Sequence, residues 1–202
     1  KSHFVDYLKE EITKAYGENP SDSPDFARII NTKNCQRLIN MIDSEKVIFG
    51  GQTDLENCYI APTLINETSL ETELMKDEIF GPILPILTYE KETEIESIIS
   101  KYEKPLALYI FTENRMFSKQ MIQKYSFGGG CVNDTMVHFS NKRLPFGGVG
   151  HSGIGVYHGI MSFDTFSHKK SILKKSNLLD LPFRYAPYKG KLSMIKKLLN
   201  WL

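Results

Sequence analysis

The stretch PFGGVGHSGIG, residues 145–155, contains Gly148-Val149-Gly150-His151-Ser152-Gly153, a G-x-G-x-x-G spacing that in a dinucleotide loop lets backbone approach a pyrophosphate. That chemistry needs an apolar strand before the loop, a helix opening at its last glycine, and an acid about 20 residues later for the ribose. Here SNKRLPF precedes the loop, and the basic SHKKSILKK stands where the acid should be. The spacing therefore reads as a tight loop that brings backbone close to a neighbouring surface. Ser152 suggests a second chemistry, acyl transfer. A nucleophile elbow places glycine two residues after its serine, and that position is Ile154. Cys131 follows three glycines and is a third candidate. It falls in a predicted strand with no basic partner nearby in sequence, so a buried, inert thiol is expected. In FGGQTDLENC the paired glycines and Asp54 read as a turn between a short strand and YIAPTLI. The five histidines show no H-x-x-x-H spacing, and the three cysteines, Cys35, Cys58 and Cys131, show no C-x-x-C; neither a metal site nor a disulfide framework is expected.

The elements that must position these residues alternate along the chain. Phe4, Leu8, Ile12 and Ala15 recur at helical spacing, so the chain opens inside an amphipathic helix, without an initiator Met or an apolar signal core, as if entered mid-fold. A Pro/Ser/Asp loop at 19–25 follows, then a second helical face marked by Leu38, Met41 and Ile42. YIAPTLI and ILPILTY read as strands, ETEIESIISKYE as a helix, LALYIFT as a buried strand, RMFSKQMIQKY as a helix and GGGCVND as a strand. This βαβ alternation predicts an α/β fold with an open, mostly parallel sheet covered by helices. No apolar run approaches the ~20 residues of a membrane span. A formal net charge of +1 over 202 residues gives no signature of nucleic-acid binding.

Several stretches in order carry a resemblance. YIAPTLI, KDEIFGPILPI, EKPLALYIFT, GGGCVND and LPFGGVGHSGIGVYHG, ending in FSHKKSILKKS, closely resemble the C-terminal half of the aldehyde dehydrogenase superfamily. The form LPFGGVGHSGIGVYHG followed by FSHKKS is similar to its class 3 branch, which includes fatty-aldehyde and aromatic-aldehyde enzymes. The family's nucleophile signature is GQT followed by Cys. Position 54 is Asp, which cannot replace a thiolate that attacks a carbonyl. The resemblance thus implies that the nucleophilic Cys and the general-base Glu lie upstream of Lys1, that no residue of this chain is catalytic, and that the chain alone is inactive. It implies a part of the catalytic domain over 1–162, an oligomerisation arm over 163–176 and a tail with a basic amphipathic helix over 177–202.

In the family a cysteine thiolate adds to the aldehyde, hydride passes to nicotinamide, and water releases the acid. The resemblance assigns Glu78 of EIFGP to the two hydroxyls of the nicotinamide ribose, which an acceptor-only carboxylate suits, and Phe80 to packing beside that ribose. The resemblance implies NAD or NADP as the cofactor. Phe146 matches an aromatic of the aldehyde tunnel, and Met136 and Phe139 lie in the loop that shapes it; an apolar wall implies long-chain or aromatic aldehydes. The glycine loop is then expected on the substrate side. SFDTFSHKKSILKKS matches an arm that joins a partner's sheet, so a homodimer is expected, in the cytoplasm. In YKGKLSMIKKLLNWL, Leu192, Ile195, Leu198, Leu199 and Leu202 share a helical face opposite Lys196, Lys197 and Asn200. That face packs on the enzyme or its dimer partner, or rests peripherally on an anionic membrane or over the tunnel. A non-catalytic assembly module and a membrane-surface segment are the alternative readings.

Overall fold

The computed structural model describes residues 1–178, 180 and 185–200, and the chain divides into two compact units, Lys1–Glu103 and Lys104–Leu202. The first unit opens with α1 (Ser2–Tyr16) and α2 (Thr32–Ile39) and carries strands β1 (Val47–Phe49), β2 (Thr53–Asp54), β3 (Tyr59–Ile60), β4 (Thr63–Asn66) and β5 (Ile83–Ile86), then α3 (Glu92–Ile99). Its three-stranded sheet runs β1-β4-β5, antiparallel then parallel. Side chains alternate across the sheet, and each face has its own core. Leu64 and Ile86 pack with Val5 of α1, while Ile65 and Ile83 pack with Cys35 and Leu38 of α2. The second unit contains β6 (Ala107–Ile110), α4 (Arg115–Lys124) and β7 (Gly129–Val132), a βαβ step whose strands pair in parallel. It continues through α5 (Val137–Ser140), α6 (Gly159–Thr165) and α7 (Leu192–Leu199).

Three local readings differ from the sequence expectation. YIAPTLI is not one strand: β3 pairs with β2 in an antiparallel hairpin, and β4 joins the other sheet. Pro62 lies at the break, where it cannot donate a ladder hydrogen bond, and the Gly50 backbone comes so close to the Pro62 carbonyl that a Cβ there would clash. On α1 the buried anchor is Val5; Phe4 and Ala15 are exposed, so the apolar stripe runs Val5-Leu8-Ile12. Helix α2 stops at Ile39, and Met41 and Ile42 reach the core from beyond its end. The expected turn at Asp54 is present, its carboxylate accepting from the Asn57 backbone and side-chain N–H groups. The parallel pairs are β4–β5 in the first unit and β6–β7 in the second.

Candidate functional site

In the first unit, residues 67–82 connect the parallel strands β4 and β5, and this connection carries Glu78 and Phe80. It is fixed at both ends and in the middle. At its start Glu67, 3% exposed, accepts from the backbone N–H groups of Thr68 and Ser69, the Thr72 hydroxyl and the Lys46 ammonium, at 2.8 to 3.2 Å. Burial alone pushes its carboxyl up, but these donors outweigh it and hold the group down at about 2. In the middle Leu74 is buried in the core. Near the end Arg37 of α2 donates to the Ile79 carbonyl at 2.7 Å. A Cβ on Gly81 would come within 2.6 Å of the fully buried Leu38 side chain, so only glycine lets the turn sit this low on α2.

Held this way, Phe80 adopts a φ of +50° and is 77% exposed. A left-handed, β-substituted residue with an outward-facing ring is costly twice over, in backbone strain and in apolar exposure. Glu78 and Phe80 line one half-open cleft of about 540 Å³, together with Arg28, Ile30, Asn34 and Arg37. The two expected cofactor residues thus share a cavity, and Arg37, which sequence reasoning missed, joins them to α2.

In the second unit the three expected substrate residues gather around one aromatic cluster. After β7, Asn133 turns the chain with a φ of +58° and locks it by exchanging hydrogen bonds with the Thr112 backbone N–H and carbonyl at 2.7 and 2.9 Å. Met136, also left-handed at +62° and 61% exposed, starts α5, and Tyr109 donates its hydroxyl to the Met136 sulfur at 3.7 Å. Phe139 meets Phe146 edge-on at 4.9 Å, and Phe146 meets Tyr157 at 5.6 Å. His158, 6.2 Å from Phe146 and 4.5 Å from Tyr157, lies 3.2 Å from the Leu144 carbonyl through Nδ1. Tyr109, His138, Tyr157 and His158 were not singled out from sequence as site residues. His138, Tyr157 and His158 stand in the aromatic-rich stretches VHF and VYH, and Tyr109 in the strand LALYIFT.

The glycine loop closes on itself. Phe146 and Tyr157 exchange backbone hydrogen bonds at 3.0 and 2.9 Å, which ties the loop's two ends together. A Cβ on Gly148 would lie 2.1 Å from the Ser152 carbonyl oxygen, so the interior is filled by backbone. Among the described residues no strand runs directly into the loop beyond the single Phe146–Tyr157 bridge, and no α-helix opens at Gly153; α6 starts at Gly159. Ser152 is occupied structurally, accepting from the Val149 N–H and donating to the Val149 carbonyl. The expectation for Cys131 needs correction. It does lie in β7, but it is half-buried, and α5 folds back to bring His138 Nδ1 within 3.5 Å of its sulfur. The six residues between them reverse the chain and supply the basic partner that the strand itself lacks.

A strand-helix α/β chain with a strained acidic-aromatic turn and an aromatic cluster at the ends of a glycine loop has close known counterparts. The sequence profile of the Aldehyde dehydrogenase family matches residues 1–172. Aldehyde dehydrogenase family 3 member H1 of Arabidopsis thaliana is 45% identical over 202 residues, covering 98% of this chain and 42% of the relative. The mouse enzyme named aldehyde dehydrogenase, dimeric NADP-preferring, is 44% identical over 194 residues, 95% of this chain and 43% of the relative. A solved structure described as the substrate-bound state of Staphylococcus aureus AldH superposes with a TM-score of 0.86 at 44% identity, covering 98% of this chain and 44% of that one. The chain belongs to the aldehyde dehydrogenase family, and its relatives place it in the class 3 branch. It spans less than half the length of these relatives.

Proposed function

We propose that this chain is the part of an NAD(P)-dependent aldehyde dehydrogenase that positions the nicotinamide end of the cofactor and walls the aldehyde tunnel. The observation that carries the reading is the Glu78-Ile79-Phe80 turn, strained and outward-facing, anchored by Arg37 and facing a cleft. The residues fit the cofactor: an exposed acceptor-only carboxylate for two ribose hydroxyls, with an exposed ring two residues away to limit where the nicotinamide sits. NAD or NADP supplies the hydride acceptor when bound. In the second unit, Phe139, Phe146 and Met136 form an apolar wall suited to long-chain or aromatic aldehydes.

In this reading the thiolate nucleophile and the general-base glutamate come from sequence outside these 202 residues. The purified chain therefore forms no NAD(P)H from aldehyde. In the same reading residues 1–162 are catalytic-domain sequence and 163–176 are the dimer arm. Residues 168–176 are exposed and carry neither helix nor strand, with Ile172 and Leu173 open to solvent, which is the state of a segment that gains its partner strand on dimerisation. The name of the mouse relative, dimeric, supports the same proposal. A cytoplasmic enzyme with peripheral membrane contact through α7 is the corresponding proposal for location. Among the described residues no helix is long and apolar enough to cross a membrane.

The experiment is Glu78→Gln in the longer enzyme. Weakening a charge-assisted hydrogen bond removes roughly 1.5 to 3 kcal/mol, so turnover falls about tenfold or more with folding intact. Kinetics equal to wild type would take Glu78 out of the site.

A further inference from the structure

The chain holds a thiol-imidazole pair that the cofactor turn and the aldehyde wall leave unused. On β7, Gly129 and Cys131 lie on one face of the strand, two residues apart, and the parallel register sets Tyr109 of β6 beside Cys131. The His138 ring lies over this face. A Cβ on Gly129 would come within 3.0 Å of His138 Cδ2 and 3.3 Å of Nε2, so the imidazole occupies the space that a side chain at 129 would take. Its Nδ1 is 3.5 Å from Cys131 Sγ, and its ring meets Tyr109 edge-on at 5.8 Å.

His138 is only 8% exposed, and its Nε2 has no hydrogen-bond partner among the described residues. A histidine kept for structure alone is expected to satisfy both ring nitrogens, because an unpaired buried polar atom is unfavourable. Here the nitrogen that is satisfied is the one facing the thiol. That arrangement suits the tautomer with its proton on Nε2, which leaves Nδ1 free to accept from S–H. Cys35, by contrast, is fully buried, and Cys58 is half-buried like Cys131; among the described residues only Cys131 is shown with a histidine in contact.

We propose that Cys131 and His138 form a base-assisted thiol that captures α,β-unsaturated aldehydes by conjugate addition. The choice of an aldehyde electrophile follows from the family of the chain and is independent of the roles given to Glu78 and Phe80. The thiol proton moves to Nδ1 as Sγ forms a bond to the β-carbon of the enal. The carbon–carbon π pair shifts to give the enolate, and the proton returns from the imidazole to the α-carbon. Atoms and electrons balance without any oxidant or reductant, and the product keeps its aldehyde group. The proton leaves for Nδ1 in the same step in which Sγ bonds to carbon, so a base in contact with the thiol lowers the barrier to attack.

The test treats the full chain with trans-2-hexenal and follows each cysteine by peptide mass spectrometry. Cys131 is expected to react first, on the order of tenfold faster than Cys58, with Cys35 slowest. His138→Asn keeps a polar atom near the Nδ1 position without a base and is expected to bring Cys131 to the rate of Cys58, the rate at Cys58 staying unchanged as the control for folding. Gly129→Ala pushes the imidazole off its seat without removing it and is expected to slow Cys131 in the same direction. The proposal is overturned if Cys131 leads Cys58 by less than a factor of two or three in the wild-type chain, or if its lead survives in both variants.

Discussion

The connection that carries Glu78 and Phe80 begins at a buried carboxylate, and replacing Glu67 with Gln tests how that connection is held. The donors around Glu67 hold it at about 2, against an ordinary value of 4.5. At 1.36 kcal/mol per pH unit the difference is about 3 kcal/mol favouring the folded chain. The group is depressed on folding, so this stabilisation is complete above the unfolded value and disappears as pH falls from about 5 toward 2. By pH 3 about 2 of the 3 kcal/mol are gone. The Gln variant lacks the titration but keeps every other carboxylate, whose contributions cancel in the comparison. Urea denaturation of both proteins at pH 7 and pH 3 is therefore expected to show the wild-type advantage shrinking by about 2 kcal/mol at the acid end. A wild-type advantage that is the same at both pH values would refute the reasoning, since it would mean that Glu67 supports the loop by shape and not by charge.

Arg37→Ala removes the donor to the Ile79 carbonyl while leaving the Glu78 and Phe80 side chains chemically unchanged. In the longer enzyme KM for the cofactor is expected to rise about tenfold with a smaller change for the aldehyde, and Arg37→Lys to recover part of it; equal effects on both KM values would count against a positioning role. Deleting residues 190–202 tests α7, whose Leu192, Met194 and Leu199 are exposed in this chain, with Leu202 lying outside the described residues. Turnover of long-chain aldehydes is expected to fall while that of short ones is retained, as measured by initial rates on the two; loss of both alike, or of neither, would end the substrate-delivery reading.

Local patterns were legible wherever the deciding force was local. The helical spacing of Leu8 and Ile12 places α1, the apolar runs place β5, β6 and β7, and Asp54 with Asn57 closes its turn by side-chain hydrogen bonds three residues apart. The α1 stripe was misread by one position because Phe4 and Val5 are both apolar, and only the sheet decides which of them is covered. The break at Pro62 was readable in principle from the missing N–H. What assigned β3 and β4 to different sheets was the approach of Gly50, twelve residues earlier, and no periodicity reports that.

The candidate site divides along the same line. Resemblance could name Glu78, Phe80, Met136, Phe139 and Phe146, because motif spacing survives in the sequence, but it could not say what holds them. Arg37 and Ile79 are 42 residues apart, and the left-handed backbone at Phe80 and Met136 goes against the preference of both residue types. Strain of that kind persists only where the surroundings over-determine the backbone. At Phe80 the determinants are identifiable: the Arg37 hydrogen bond on one side and the Gly81 contact with Leu38 on the other. Either anchor alone would leave the turn free to relax toward ordinary backbone angles, withdrawing the ring from the cleft. Resemblance therefore nominates the groups, whereas the presentation of Glu78 and Phe80 depends on α2, a helix that none of the recognised motifs includes.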